Sequence, residues 1–290
     1  MTTLKQPARK RTFRWVRNVF LVCGVLYILS CVACAIFQRQ LIYYPPVVDT
    51  ATADRTGLEL NLQRWTGPSG KTIGWKRLAS VHPTQGVALV MHGSGDNALM
   101  CSHYADEIQQ AIPLDIYFLE FPGYADRPGK PSEATLCQSA EEALAALGTN
   151  APVYLVGQSL GTGVATYLAG RHPEKIVGIV LFGAYNCLAD VGRAHLPHLP
   201  VRWLLVDRFP SEDNLRNYHG PVAIMLANQD TLVPPKLTRR LYSGYAGPKR
   251  LWEFPERNHF NVVTQSAEVW KQIFQFWQSN QPSIALNSTL

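Results

Sequence analysis

Gly157-Gln158-Ser159-Leu160-Gly161 constrains this chain more than any other stretch. It follows Pro152-Val153-Tyr154-Leu155-Val156, an apolar run of strand length, and precedes Thr162-Gly163-Val164-Ala165-Thr166-Tyr167-Leu168-Ala169, which reads as a helix. A G-x-S-x-G pentapeptide between a buried strand and a helix sets its serine on a sharp, strained turn. The flanking glycines leave room for strand and helix to approach. The hydroxyl then stands clear of the sheet, over a helix N-terminus, where developing negative charge is favoured. A glycine-rich turn that merely contains serine has the same letters, so the reading rests on the rest of the chain.

Around the pentapeptide the pattern is regular. Val87–Met91, Ile116–Leu119, Val153–Val156, Ile176–Leu181 and Val222–Leu226 are continuous apolar runs, and Leu251–Phe254 is a weaker sixth. Runs of this kind fit strands covered by helices on both faces. Helical stretches are expected at Ala98–Ala111, Ser132–Leu147, Leu160–Arg171, Pro235–Tyr245 and Ser266–Ser279. Strand alternating with helix implies an α/β fold with a doubly wound, mainly parallel sheet. Ahead of it, Leu58-Glu59-Leu60-Asn61-Leu62 alternates as a half-buried strand does, Gly67-Pro68-Ser69-Gly70 turns, and Thr72–Trp75 returns. An N-terminal β-hairpin is therefore expected, after a connecting segment at 45–57. Residues 186–219 break the rhythm after a strand's carboxyl end, near the ligand edge of such a sheet. They read as a short lid or as a crossover helix with long loops.

The charge balance has a location. The formal net charge is +6, and Lys5, Arg9, Lys10, Arg11, Arg14 and Arg17 account for all of it. The remainder is neutral, which argues against nucleic acid as a partner. Val19–Phe37 then runs nineteen residues without a charge. As a helix it spans about 28 Å, close to the hydrocarbon thickness of a bilayer. Basic residues before it place the N-terminus in the cytoplasm and the globular part on the other side. A cleaved signal peptide shares this start, and Ile28-Leu29-Ser30-Cys31 and Cys31-Val32-Ala33-Cys34 roughly resemble lipoprotein signals. Arg39, beyond the run, and the run's length favour an uncleaved single-pass anchor over lipoprotein or secreted forms. The organisation expected is a basic cytoplasmic tail (1–18), a transmembrane anchor (19–37), one catalytic domain (45–280) with the lid at 186–219, and a flexible tail (281–290). The six cysteines form neither a disulfide framework nor a zinc or thioredoxin pattern.

A serine hydroxyl needs an adjacent base, itself oriented by a third group. After residue 219 the chain has one histidine, His259, on the stretch between the last apolar run and the last helix. It is the expected base. Asp230, between an apolar run and a helix opened by proline, is the preferred acid; Asp190, Asp207 and Asp213 fall in the lid segment. A helix cap is the alternative role for Asp230. An oxyanion hole needs two converging backbone donors. The amide of Leu160 is one, and the amide of Ser94, in His92-Gly93-Ser94-Gly95-Asp96-Asn97, is the other. Gly157, Gln158 and Gly161 support the elbow, while His92 and Gly93 shape the oxyanion loop.

These residues together resemble the α/β-hydrolase superfamily, in its membrane-anchored serine hydrolase branch related to prolyl-oligopeptidase-like and serine-aminopeptidase-like domains. The resemblance covers roughly residues 40–280. Tyr43-Tyr44-Pro45 is similar to the family's aromatic-proline stretch, and His92-Gly93-Ser94 to its His-Gly-Asn strand end. Phe121–Glu133 resembles its Arg-Gly-Tyr-Gly-x-Ser-x-Gly-x-Pro-Ser-Glu loop, and Asn228–Pro234 its Gly-x-x-Asp-x-x-Val-Pro. Pro122, Asp126-Arg127, Ser94 and Asn258-His259-Phe260 depart from the pattern, and Pro122 and Asp126-Arg127 are expected to alter the edge of the acyl pocket. The resemblance implies acyl transfer to water through Ser159, on an ester or thioester, with no metal or organic cofactor. Peptide cleavage, acyl transfer to another acceptor and a non-catalytic tethered module are the alternatives. A small-molecule or lipid-like acyl substrate is expected, with Leu196–Leu205 offering an apolar surface.

Overall fold

The middle of the sheet is built from strands that are apolar along their length, such as Val87–Met91 and Val222–Ala227. The computed structural model describes residues 8–281. Residues 1–7 and 282–290, which hold parts of the expected basic and C-terminal tails, lie outside them. Eight strands form one sheet: β1 (Gln63–Thr66), β2 (Thr72–Arg77), β3 (Val87–Met91), β4 (Asp115–Leu119), β5 (Val153–Gln158), β6 (Ile176–Phe182), β7 (Val222–Ala227) and β8 (Lys249–Phe254). Their order is β1-β2-β4-β3-β5-β6-β7-β8. All neighbours from β4 to β8 are parallel; β1 with β2, and β2 with β4, are antiparallel. Successive side chains alternate between two cores. Leu89, Leu155, Ile179 and Ile224 enter one, whereas Val90, Val156, Val180 and Met225 enter the other. Both faces of β3, β5, β6 and β7 need cover, and that explains the absence of polar alternation along them.

Helices supply the cover: α3 (His103–Ala111), α4 (Glu133–Leu147), α5 (Leu160–Arg171), α9 (Pro235–Gly244) and α10 (Ala267–Ser279). Serines open two of them. Ser132 closes a capping box with Thr135, and the Ser266 side chain accepts from the Val269 amide. Residues 186–219 form three short α-helices, α6 (Leu188–His195), α7 (Val201–Leu204) and α8 (Ser211–Asn214), and a 3-10 turn at Leu215–Asn217.

The stretch ahead of the parallel strands brings a correction. Leu58–Leu62 is not a strand. Helix α2 (Thr50–Glu59) occupies much of the expected linker, and the hairpin's first strand starts at Gln63. Asp49 caps the helix by accepting from the Thr52 amide at 2.9 Å. Gly57 lies against the Trp75 ring, so close that a Cβ there would sit 2.2 Å from it. The apparent alternation arises because Leu58 is exposed and Leu62 is buried, on either side of the chain reversal at Asn61, whose φ is 54°.

Helix α1 (Ala8–Ile42) is longer than the expected anchor. Its Arg14–Ile42 span has a mean hydropathy of 2.7 in its most apolar window and is long enough to cross a membrane. Its C-terminal end is fastened to the globular part. Arg39 Nε and the Tyr43 hydroxyl each donate to Asp207 Oδ2 at 3.0 Å.

Candidate active site

The connections reverse between β3 and β5. From β3 the chain crosses by α3 to β4 on one side, then by α4 to β5 on the other. The carboxyl ends of β3 and β5 are therefore the sheet's switch point, where ligands bind in open α/β sheets. The loop from His92 leaves β3 there, and Ser159 leaves β5 beside it.

Ser159 turns between β5 and α5 at φ 49°, ψ −116°. Such a conformation costs a non-glycine residue on the order of 1–3 kcal/mol. The surroundings over-determine it. Nine residues of α5 are buried, and the Ser159 amide donates to Phe182 O at 2.8 Å. Gly161 lets the helix press onto β3, since a Cβ there would lie 2.2 Å from Met91 O.

Ser159 Oγ and His259 Nε2 are 3.0 Å apart, and His259 Nδ1 and Asp230 Oδ2 are 2.7 Å apart. Asp230 follows β7 and His259 follows β8, strands paired at Ala227 and Phe254. The other Asp230 oxygen accepts the amides of Leu232 and Val233 at 2.9 and 2.7 Å, which fixes the carboxylate's plane. The cap-like role considered for Asp230 and its reach to His259 are thus met by different oxygens. Among the lid aspartates, Asp207 binds Arg39 and Tyr43, Asp190 binds Arg202 and Arg240, and Asp213 binds Arg216.

The Ser94 and Leu160 amides have no hydrogen-bond acceptor among the described residues. Their peptides are held from behind. His92 Nδ1 lies 2.8 Å from Gly93 O, and the Asp96 amide donates to the same oxygen at 3.4 Å. That oxygen lies across one peptide plane from the Ser94 N–H, so holding it aims the amide the opposite way. Ser94 O accepts from the Tyr44 amide and the Tyr124 hydroxyl, both at 3.0 Å. His92 is 1% exposed; its Nε2 accepts from the Phe121 amide at 3.3 Å and lies 3.2 Å from Glu120 Oε1. Gln158 donates to Asp96 Oδ2 at 2.8 Å and accepts from the Tyr104 hydroxyl at 3.2 Å. Burial pushes the neighbouring Cys101 thiol and Tyr104 phenol well above their ordinary ranges, so both stay neutral donors at physiological pH.

Gly183 was not singled out in the sequence. Its φ is +60°, and a Cβ there would meet His259 Cε1 at 2.9 Å. It is the floor on which the imidazole lies. The only sequence trace is a glycine immediately after an apolar run.

A cavity of about 780 Å³ opens over Ser159 and His259. The segment 186–219 covers it: Leu188, Val191, Leu196, Val201 and Leu205 face inward. Leu204, in the same apolar stretch, does not line it. Segment and acid loop are joined by His195 Nε2, 2.8 Å from Leu232 O.

Comparison with known proteins agrees with this architecture. Residues 86–201 match the family model of the alpha/beta hydrolase fold. An uncharacterized protein of Mycobacterium tuberculosis is 30% identical over 230 residues, covering 77% of this chain and 80% of the relative. The chain belongs to the α/β-hydrolase family. A further member, the lysophosphatidylserine lipase ABHD12 of Rattus norvegicus, is 28% identical over 213 residues, which is 64% of this chain and 51% of that one. The chain thus spans about half of that relative's length. Among solved α/β hydrolases, Est1E of Butyrivibrio proteoclasticus superposes with a TM-score of 0.61 at 14% identity, covering 75% of this chain and 100% of that one. A Pyrococcus furiosus esterase gives 0.60 at 14%, covering 83% and 99%. At such identities these two speak to the fold alone.

The family loop at Phe121–Glu133 explains its own departures. Asp126 takes both Arg64 NH groups, at 3.0 and 2.8 Å, and Arg127 pairs with Glu142 at 2.8 Å. Neither residue lines the cavity, and nor does Pro122. The expectation that these residues alter the acyl pocket's edge is therefore corrected: Asp126 and Arg127 tie the loop to the hairpin and to α4.

Proposed function

We propose that this protein is a serine hydrolase anchored in a membrane by α1, cleaving an ester or thioester of a lipid-like acyl group through an acyl-enzyme on Ser159. The observation that carries the reading is the chain of hydrogen bonds from Ser159 Oγ through His259 to Asp230 Oδ2. His259 Nε2 takes the Ser159 proton as Oγ attacks the acyl carbonyl. Asp230 holds the imidazole's tautomer and stabilises the imidazolium. Charge that develops on the carbonyl oxygen meets the amides of Ser94 and Leu160; one such donor is worth about 3 kcal/mol of barrier. His259 then gives its proton to the departing alcohol or thiol. Water repeats the sequence on the acyl-serine, with His259 again as base, and releases a carboxylate.

An apolar cavity beside the nucleophile favours an acyl chain over a peptide. That one relative is a lysophosphatidylserine lipase supports an ester-linked lipid. The positive residues ahead of the span favour a cytoplasmic N-terminus with the catalytic domain on the opposite side.

The direct test is a matched set of ester, thioester and amide substrates with a common acyl chain. Purified wild type should release carboxylate from the first two, and Ser159→Ala from none. Turnover of the amide alone contradicts the substrate class. For topology, a reporter active only outside the cytoplasm, fused after Leu290, should be active; a silent reporter on a folded fusion contradicts the orientation.

A further inference from the structure

The cavity over Ser159 is not closed by the globular domain alone. One wall belongs to α1, through Cys34, Gln38, Leu41 and Ile42. Cys31, Cys34, Ala35, Gln38 and Ile42 recur at helical spacing and are half-buried or buried, whereas Val32, Ile36 and Phe37 are exposed. The helix therefore has a protein-facing stripe and a free face over its last three turns. The stripe is locked in place. Gln38 accepts the Val206 amide at 2.7 Å and donates to Leu204 O at 3.3 Å. Arg39 and Tyr43 grip Asp207 one turn on.

The position of this wall along the helix matters. The charge-free run ends at Phe37. Cys34 lies inside it, about 4.5 Å deeper along the axis at the usual helical rise. The cavity thus begins within the apolar span, and Gln38, polar and 7% exposed, sits where the span ends. Leu204 and Val206 bond to Gln38, and there Val206 is 67% exposed and the neighbouring Trp203 88%; on the chain just past Gln38, Leu41 and Tyr44 are exposed too. Exposed aromatic and aliphatic side chains on the collar of a spanning helix suit the headgroup layer.

We propose that α1 is the acyl-recognition wall of this enzyme. The acyl chain of a membrane lipid leaves the bilayer sideways along Cys34 and Gln38, passes under Val201 and Leu205, and brings its ester carbonyl to Ser159 without crossing water. This deepens the reading of Ser159 as nucleophile and rests on it. The occupant is one ester-linked chain of a lipid already in the adjoining leaflet. The same cavity filled from water by a short soluble ester is the competing outcome.

The full chain, reconstituted in phosphatidylcholine vesicles, tests this with two esters of one alcohol, 4-methylumbelliferyl palmitate and acetate. Cys34→Trp narrows the channel from the α1 side, while Ile36→Trp adds the same bulk to the exposed face. The palmitate-to-acetate ratio of kcat/KM should fall at least tenfold in Cys34→Trp and stay within twofold of wild type in Ile36→Trp. A ratio unchanged in Cys34→Trp, or equal falls in both variants, overturns the proposal. A second readout needs no variant. Wild type phosphonylated by a hexadecyl fluorophosphonate bearing a mid-chain diazirine, with loss of fluoride, should crosslink, on irradiation, to the peptide containing Cys34–Ile42. Crosslinks found only elsewhere overturn it. Wild type that neither takes up the probe nor cleaves either ester refutes the underlying hydrolase reading instead, and so is distinguishable from failure of the channel alone.

Discussion

At the scale of single residues, the site depends on a glycine as well as on the side chains that face Ser159. Gly183 holds a positive φ and leaves the space in which the His259 ring lies. Gly183→Ala adds strain of about 1–2 kcal/mol and pushes the ring off the Ser159–Asp230 line. Ester turnover should fall at least tenfold with the circular dichroism spectrum unchanged; full activity in a folded Gly183→Ala protein contradicts the placement. The convergence of Ser159, Asp230 and His259 at one place was legible because each follows an apolar run, and chain order leaves few competitors. Gly183 was not, because its partner lies 76 residues further along the chain. The grip of Tyr44 and Tyr124 on Ser94 O was hidden for the same reason. Pairings over such distances are set by topology rather than by any local pattern.

At the scale of elements, buried polar contacts show where the helices are tuned. Glu107 on α3 receives the Trp270 Nε1–H from α10 and the Gln265 amide on the same oxygen, both at 3.0 Å. Its other oxygen has no partner among the described residues. Burial raises the Glu107 carboxyl above its ordinary value, against the pull of those hydrogen bonds. The folded state therefore holds the proton more tightly than the unfolded chain. The stabilising difference is complete below the unfolded value and is lost as pH rises through the folded one. Glu107→Gln keeps an acceptor and removes the charge. Its Tm should match wild type near pH 4 and exceed it increasingly toward pH 7; a constant gap contradicts the account. The strands of the parallel sheet were legible from their unbroken apolar runs. Helix α2 was not, because five alternating residues spanning a helix end mimic a strand, and only the Asp49 cap and the packing of Gly57 on Trp75 settle the matter.

At the scale of the whole molecule, α1 and the catalytic fold share a boundary that a linear division of the chain misses. The sequence marks a charge-free run and a separate domain. In the folded chain the helix continues to Ile42, is pinned through Gln38, Arg39 and Tyr43, and lines the cavity. All of this turns on Ser159 being a nucleophile, and labelling by a fluorophosphonate tests that most directly. Full-chain protein in vesicles should take up one phosphonyl group, on the peptide that contains Ser159, and Ser159→Ala should take up none. A folded wild type that stays unlabelled, or equal labelling of Ser159→Ala, would contradict the account.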